Sequence, residues 1–185
     1  YGLGRTGTRF ACDQAGVIPD ILCLSKGLTG GAIPLAVTLC IEPIFASHWS
    51  TDRARAFYHS SSYTANPIAC AAANANLEIW RDEPVEARIN ALADAQAAHL
   101  AMLTNDPRVT SLRRLGTIAA LDVVQADAGY LSTLAPRLVA FYRERGVLLR
   151  PLGNTVYIMP PYSITADDLG QVWTAIASSL DEIGQ

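Results

Sequence analysis

The stretch Pro19-Asp-Ile-Leu-Cys-Leu-Ser-Lys-Gly-Leu-Thr-Gly-Gly31 organises this sequence, because it contains the only lysine of the chain, Lys26. The chain has 185 residues and 14 lysines and arginines, and every basic residue other than Lys26 is arginine. A guanidinium stays protonated and cannot condense with a carbonyl, whereas a lysine amine with a lowered pKa can. Lys26 is therefore a candidate for covalent chemistry. A lysine that faces water at a strand end is the alternative interpretation.

Two short apolar runs flank Lys26 and predict its position in the fold. The run Ile21 to Leu24, bounded by Pro19 and Lys26-Gly27, predicts a buried strand, and Leu35 to Ile41 predicts a second one. Lys26 then lies in the turn between two strands. The ends of buried strands are where α/β enzymes place their chemistry.

Composition limits the class of protein. Half of the chain is hydrophobic, the net charge is −3, and the arginines form no basic stripe, which argues against a nucleic-acid surface. No apolar run approaches the length of a membrane span. The four cysteines lack metal-ligand spacing and predict buried thiols in a reducing compartment such as the cytoplasm, and they are Cys12, Cys23, Cys40 and Cys70.

The rest of the sequence predicts alternating helices and strands. Asn66-Pro67 is a helix start, followed by an alanine-rich helix that we expect to be buried on most sides. From residue 85 onward the pattern predicts a compact α+β unit of about a hundred residues. Its expected elements are a helix over 85–103, a strand over 118–124, a helix over 131–142 ended by Gly146, a hairpin of strands 147–150 and 155–159 around Gly153-Asn154, and a last helix opened by Thr165.

Two groups of polar residues are candidates for chemistry besides Lys26. Ser60, Ser61 and Ser62 precede the helix start and suit a phosphate, although a solvated serine loop is the alternative. Arg150 follows an apolar run and suits a substrate carboxylate, although a structural salt bridge is equally compatible. The glycines of Gly2 to Gly7 match a dinucleotide-binding motif, but the strand that this motif requires would lie before Tyr1 and residues 8–16 show no helical pattern, so a turn that glycine permits is the preferred interpretation.

Several motifs together resemble a known family. The resemblance to the class III pyridoxal-phosphate aminotransferases of fold type I, which are α/β proteins, covers most of the chain. The motifs that carry it are Gly2–Gly7, Phe10-Ala11, Pro19–Ile21 and Ser25–Leu28 with Gly30-Gly31. Three further segments narrow the resemblance to one branch of the family, and they are Ser62–Ala73, Arg150–Gly153 and Tyr157–Tyr162.

The resemblance implies how the cofactor is held. Lys26 would form the Schiff base with pyridoxal 5′-phosphate and then transfer the proton during catalysis. Ser61 and Ser62 would bind the cofactor phosphate of a partner subunit, which implies a homodimer with shared active sites. The family often has threonine at position 62, and serine keeps its hydroxyl.

The resemblance also implies a substrate site. Arg150 would bind the substrate carboxylate, with Tyr157 nearby, and Ser60 would line the site. The family often has glycine at position 60, so the serine side chain would narrow the substrate site. Lys26 itself would contact the substrate.

The same resemblance predicts a division of the chain. Residues 1–66 would be the C-terminal part of the cofactor-binding large domain, 67–82 an interdomain helix, and 83–185 a small C-terminal α+β domain. The aspartate that pairs with the pyridine nitrogen would lie before Tyr1. The chain would then be the C-terminal part of a longer enzyme and inactive alone.

Tyr157 to Tyr162, with Met-Pro-Pro-Tyr at its end, is typical of the family branch that acts in biotin synthesis. The expected reaction is amino transfer from S-adenosylmethionine to 7-keto-8-aminopelargonate. Another class III omega-aminotransferase with a different donor is one alternative. A non-catalytic dimerisation module of the same fold is the other.

Overall fold

The computed structural model describes residues 3–59, 61–126 and 128–182. Within these ranges the chain forms two compact units. Unit 1 contains residues 3–4 and 8–85, and unit 2 contains residues 5–7 and 86–182. The helix that the resemblance describes as interdomain, residues 67–82, groups with unit 1.

Unit 1 combines three helices with a two-stranded antiparallel sheet. Its elements are α1 (Ala11–Ala15), β1 (Ile21–Ser25), β2 (Ala36–Cys40), α2 (Glu42–His48) and α3 (Pro67–Asp82). The strands pair in register from Ile21 opposite Cys40 to Ser25 opposite Ala36. Both strands around Lys26 are thus confirmed, as is the start of α3, where Asn66 accepts a hydrogen bond from the Ile68 amide.

The sequence predicted that β1, β2, most of α3 and the cysteines are buried, and this prediction is wrong. β1 alternates between exposed and half-buried residues, and Cys23 and Cys40 are exposed. Along α3 only Ala69 and Ala73 are buried, whereas Ile68 is 70% exposed. The reason is that β1 and β2 pair only with each other within the described residues, so their faces and most of α3 have no covering layer there.

Unit 2 is a three-stranded antiparallel sheet with three helices around one apolar core. Its elements are α4 (Val85–Ala101), β3 (Val109–Leu115), β4 (Ile118–Val123), α5 (Leu134–Glu144), β5 (Thr155–Ile158) and α6 (Ala166–Glu182). β4 lies between β3 and β5. The helices predicted here are confirmed, and the Thr165 hydroxyl caps α6 by accepting from the Asp168 amide at 3.1 Å.

Two details of unit 2 differ from the prediction. β3 was not expected, because its arginines face water and its pairing with β4 shifts between Thr110 and Arg113, so the apolar alternation is lost. Residues 147–150 form no strand. The Gly153-Asn154 turn is present, but the two segments on either side of it form only one isolated bridge, between Leu152 and Thr155. β5 pairs with β4 and not with residues 147–150. Pro151 has no amide hydrogen to donate to a ladder.

Buried polar groups in the core of unit 2 are paired. The Trp173 indole donates to Gln96 Oε1 at 2.9 Å, and Gln96 Nε2 donates to the Thr117 carbonyl at 3.2 Å. The Tyr142 hydroxyl lies 3.0 Å from the Ser179 hydroxyl, and burial raises the pKa of Tyr142 to about 12. Such pairing avoids the cost of a buried unsatisfied group. None of the helices described here combines the length and apolar character that a membrane crossing needs.

Candidate functional site

Lys26 lies at the end of β1, where the strand turns into a short 3-10 helix over Lys26–Thr29. Its backbone is left-handed, with a φ of 54°, and its side chain is exposed. A residue with a Cβ adopts this conformation at a cost of roughly 1–2 kcal/mol, so the surrounding structure must hold it. Strained residues of this kind cluster at functional sites.

A small core packs under the Lys26 turn. Leu28 is 7% exposed and packs with Leu3 and Ala73. The Thr29 hydroxyl donates to the Ile33 carbonyl at 2.6 Å. Gly27 allows the close approach of Leu3, since a Cβ on Gly27 would lie 3.2 Å from Leu3 Cδ1. The turn that presents Lys26 is therefore anchored on its inner side.

Asn76 on α3 also contacts this turn, and sequence reasoning missed it. Its side-chain amide donates to the Gly27 carbonyl at 2.9 Å and to the Leu28 carbonyl at 3.1 Å. The available signal was an asparagine inside an apolar helix. Asparagine is a poor helix former there unless its side chain has a partner.

Ser61 and Ser62 lie in the turn that precedes α3. The Ser61 carbonyl accepts from the Thr64 amide at 3.1 Å, which closes the turn. Both serines are exposed, and within the described residues their hydroxyls make no hydrogen bond. These hydroxyls can therefore donate to an anion. Ser60 lies outside the described residues.

Arg150 lies in the irregular segment between α5 and β5. Its side chain is exposed, while Val147 and Pro151 on either side are buried. No carboxylate among residues 3–59, 61–126 and 128–182 pairs with its guanidinium. The salt-bridge alternative has no partner in this part of the chain, so the guanidinium can accept a carboxylate.

Tyr157 follows Arg150 in the same unit, on β5. It is half-buried and lies opposite Ala120 of β4. Side chains alternate along a strand, so Tyr157 points away from the core face occupied by Val156 and Ile158.

Asn154 fixes the turn between Arg150 and β5. Its side chain donates to the Val123 carbonyl and accepts from the Gly129 amide, both at 3.0 Å. Sequence reasoning identified this asparagine only as part of a turn.

The candidate residues thus divide between the two units. Unit 1 contains Lys26, Ser61 and Ser62, and α3 relates them, because it begins after the serine turn and its Asn76 holds the lysine turn. Unit 2 contains Arg150 and Tyr157.

The donor set fits an aldehyde cofactor with a phosphate. A primary amine can bind the aldehyde. The two serine hydroxyls, which have no partner in the described part of the chain, suit the phosphate, and the Arg150 guanidinium, which forms no ion pair there, suits a carboxylate substrate. The described residues include no group of three or more His, Cys, Asp or Glu side chains placed to hold a metal ion.

Comparison with known proteins agrees with this chemistry. Residues 1–180 match the family described as "Aminotransferase class-III". The adenosylmethionine-8-amino-7-oxononanoate aminotransferase of Synechococcus elongatus is 48% identical over 182 residues, covering 98% of this chain and 42% of that protein. The enzyme of the same name from Nitratidesulfovibrio vulgaris is 41% identical over 177 residues, covering 91% of this chain and 32% of that protein.

Solved structures extend the likeness to the fold. An (S)-enantioselective omega-transaminase from Thermomicrobium roseum matches with a TM-score of 0.88 at 30% identity, over 98% of this chain and 41% of that one. The adenosylmethionine-8-amino-7-oxononanoate aminotransferase of Methanocaldococcus jannaschii matches with a TM-score of 0.85 at 32% identity. The match covers 96% of this chain and 44% of that one. The expected fold class, part of an α/β fold of this family, is confirmed.

The match covers nearly all of this chain but well under half of each relative. The chain spans 42% of the Synechococcus protein and 41% of the Thermomicrobium one. Class III aminotransferases use pyridoxal phosphate. With the family match extending from residue 1 to residue 180, the chain belongs to the class III aminotransferases.

Proposed function

We propose that this chain is the C-terminal part of an enzyme that transfers an amino group from S-adenosylmethionine to 7-keto-8-aminopelargonate, giving 7,8-diaminopelargonate in biotin synthesis. The observation that carries the proposal is Lys26, the only lysine of the chain, held in a left-handed turn at the end of a strand. The relatives named as adenosylmethionine-8-amino-7-oxononanoate aminotransferases support the choice of reaction.

Lys26 and the serines would hold the cofactor. When bound, pyridoxal phosphate supplies the electron sink that stabilises negative charge on the substrate carbon. The Lys26 amine would bind the cofactor aldehyde, and its Nζ would then accept and return the proton of that carbon. The hydroxyls of Ser61 and Ser62 would donate to the phosphate of a cofactor shared with a partner subunit.

Arg150 and Tyr157 would position the substrate. The guanidinium of Arg150 offers two parallel N–H groups to a carboxylate. Tyr157 projects from the face of β5 opposite the core, and its hydroxyl would lie near that carboxylate. Ser60 would line the same site and narrow it.

The organisation of the whole protein is part of the proposal. Residues 1–66 and 67–82 would complete a large domain and its connecting helix, and 83–185 would be the small domain. The protein would be a homodimer and act in the cytoplasm. The exposed serine hydroxyls of unit 1 support the shared site, because no described residue of this chain satisfies them.

A different amino donor is the second candidate. The omega-transaminase of Thermomicrobium roseum matches this fold with a TM-score of 0.88, so the fold also accommodates such chemistry. The identity of the donor distinguishes the two candidates. A module of this fold without catalysis would need no lysine at position 26.

Borohydride trapping tests the proposal directly. The full-length protein that contains this chain is incubated with pyridoxal phosphate, reduced, digested and analysed by mass spectrometry. We expect one pyridoxyl adduct, on Lys26, and its loss in Lys26→Arg, which keeps the charge but cannot condense with an aldehyde.

Product analysis then identifies the donor. We expect 7,8-diaminopelargonate to form with S-adenosylmethionine and the 185-residue chain alone to form none. An adduct on another residue, or product formed only with donors such as lysine or ornithine, would contradict the proposal.

A further inference from the structure

A side chain of α3, that of Asn76, donates hydrogen bonds to the backbone carbonyls of the lysine turn. Asn76 lies on the third turn of α3, half-buried, and its amide nitrogen donates to the carbonyls of Gly27 and Leu28, at 2.9 and 3.1 Å. These carbonyls belong to the two residues that directly follow Lys26. The orientation of the amide follows from its surroundings, because an oxygen in that position would face two carbonyl oxygens.

Two backbone hydrogen bonds of the turn join its own residues. The Gly30 amide donates to the Gly27 carbonyl at 3.1 Å, and the Gly31 amide donates to the Lys26 carbonyl at 3.2 Å. These bonds close the turn on itself. Asn76 adds directional hydrogen bonds from a long helix to two carbonyls of the turn, alongside the apolar packing of Leu28 against Leu3 and Ala73.

The left-handed backbone of Lys26 makes this tie important. A φ of 54° at a residue with a Cβ is unfavourable, and the turn relaxes unless neighbouring contacts hold it. A change in the φ of Lys26 moves the origin of its side chain and therefore redirects its amine. A misplacement of about 1 Å at a reacting group can cost about a hundredfold in rate.

We propose that Asn76 is a positioning residue for Lys26: its amide clamps the carbonyls of Gly27 and Leu28 and so keeps the lysine in the left-handed conformation that directs its amine toward the cofactor aldehyde. The role at the cofactor rests on the function proposed above. The clamp itself does not, and it is measured separately.

Two variants separate hydrogen bonding from packing. Asn76→Ala removes the amide, and Asn76→Asp keeps its shape but places an acceptor against two carbonyls. Asn74→Ala is the matched control, because Asn74 lies on the same helix, is exposed, and makes no side-chain hydrogen bond within the described residues. All variants are made in the full-length protein.

The first measurement is amide hydrogen exchange at Gly30 and Gly31, without cofactor. We expect exchange about tenfold faster in Asn76→Ala and Asn76→Asp, since loss of the clamp lets the turn open. Amides of α6 serve as an internal reference and should exchange unchanged. Asn74→Ala should match the parent protein.

The second measurement is the rate at which pyridoxal phosphate labels Lys26. Samples are reduced with borohydride at intervals, and mass spectrometry measures the pyridoxyl adduct. We expect it to fall about tenfold in both Asn76 variants and to stay within about twofold in Asn74→Ala. If the amide exchange rates of Gly30 and Gly31 are unchanged in the variants, or if Asn76→Asp shows the exchange rates of the parent protein, the clamp by Asn76 is wrong. Faster exchange with unchanged labelling would overturn the positioning role. If the parent protein itself shows no adduct on Lys26, the proposed function fails, whatever the exchange result.

Discussion

The backbone conformation of Lys26 depends on contacts with residues that are distant in the sequence. Its identity as the only lysine is a fact of the sequence, but its left-handed backbone and its anchored turn come from Leu3, Ala73 and Asn76. An exposed lysine in an unconstrained loop would sample many positions. The structure limits that freedom where a directed amine is needed.

Arg150 is the second residue whose role the structure sharpens. Its guanidinium has no acidic partner in the described ranges, so a substitution there would unpair no ion pair among the described residues. On the proposed role of Arg150 as the carboxylate-binding residue, Arg150→Lys in the full-length protein should raise the KM for the keto acceptor about tenfold and Arg150→Ala about a hundredfold, because lysine keeps the charge but loses the bidentate geometry.

Steady-state kinetics with varied acceptor concentration measures the KM of the two Arg150 variants. Arg143→Ala is the control, since Arg143 is also exposed, lies on α5 and has no side-chain partner in the described part of the chain. An unchanged KM in both Arg150 variants would show that another group binds the carboxylate.

At the scale of elements, the turn before β5 determines where the Arg150 segment lies. Gly153 is left-handed, with a φ of 62°, and it packs against the loop that contains Gly129. A Cβ on Gly153 would lie 1.8 Å from the Gly129 carbonyl oxygen. Only glycine fits there without moving one backbone segment away from the other.

We therefore expect Gly153→Ala to lower the free energy of unfolding by about 2–4 kcal/mol, the sum of left-handed strain and backbone overlap. Gly146→Ala is the matched comparison. Gly146 is also left-handed, with a φ of 71°, but a Cβ there would meet nothing within 4 Å, so only the left-handed strain of about 1–2 kcal/mol is expected. Urea unfolding measures both, and equal losses would contradict the overlap.

At the scale of the whole molecule, the two units differ in how much apolar surface they bury. The core of unit 2 draws on α4, α5, α6 and all three strands. The buried cluster of unit 1 consists of Leu3, Leu28 and Ala73, with a few half-buried neighbours. A two-stranded sheet without a covering layer is marginally stable.

Amide hydrogen exchange rates in the 185-residue chain should therefore differ strongly between the two units. We expect amides of β4 and α6 to exchange about a hundredfold more slowly than those of β1 and β2, because opening of unit 1 exposes far less apolar surface. Mass spectrometry of peptides from each unit measures the difference. Comparable protection in both units would mean that unit 1 is as stable as unit 2.

The elements that the sequence predicted well have strong periodic patterns or caps. α6 follows from Thr165 and its apolar stripe, and α3 begins at Asn66-Pro67 as expected. β3 was missed because a shift in its pairing and a left-handed Ser111 interrupt its alternation. The strand over 147–150 was wrong, since apolar residues beside Pro151 suggested a ladder that the structure does not form.

The sequence by itself determined the chemistry available to this protein: one amine in Lys26, hydroxyls in Ser61 and Ser62, a guanidinium in Arg150, and the family to which the chain belongs. These are matters of residue identity and order along the chain. The tertiary structure alone decided the conformation of Lys26 and the clamp by Asn76, which lies fifty residues further along the chain. Such contacts depend on packing between distant segments. The sequence shows an asparagine inside an apolar helix, but it does not show which turn its side chain contacts.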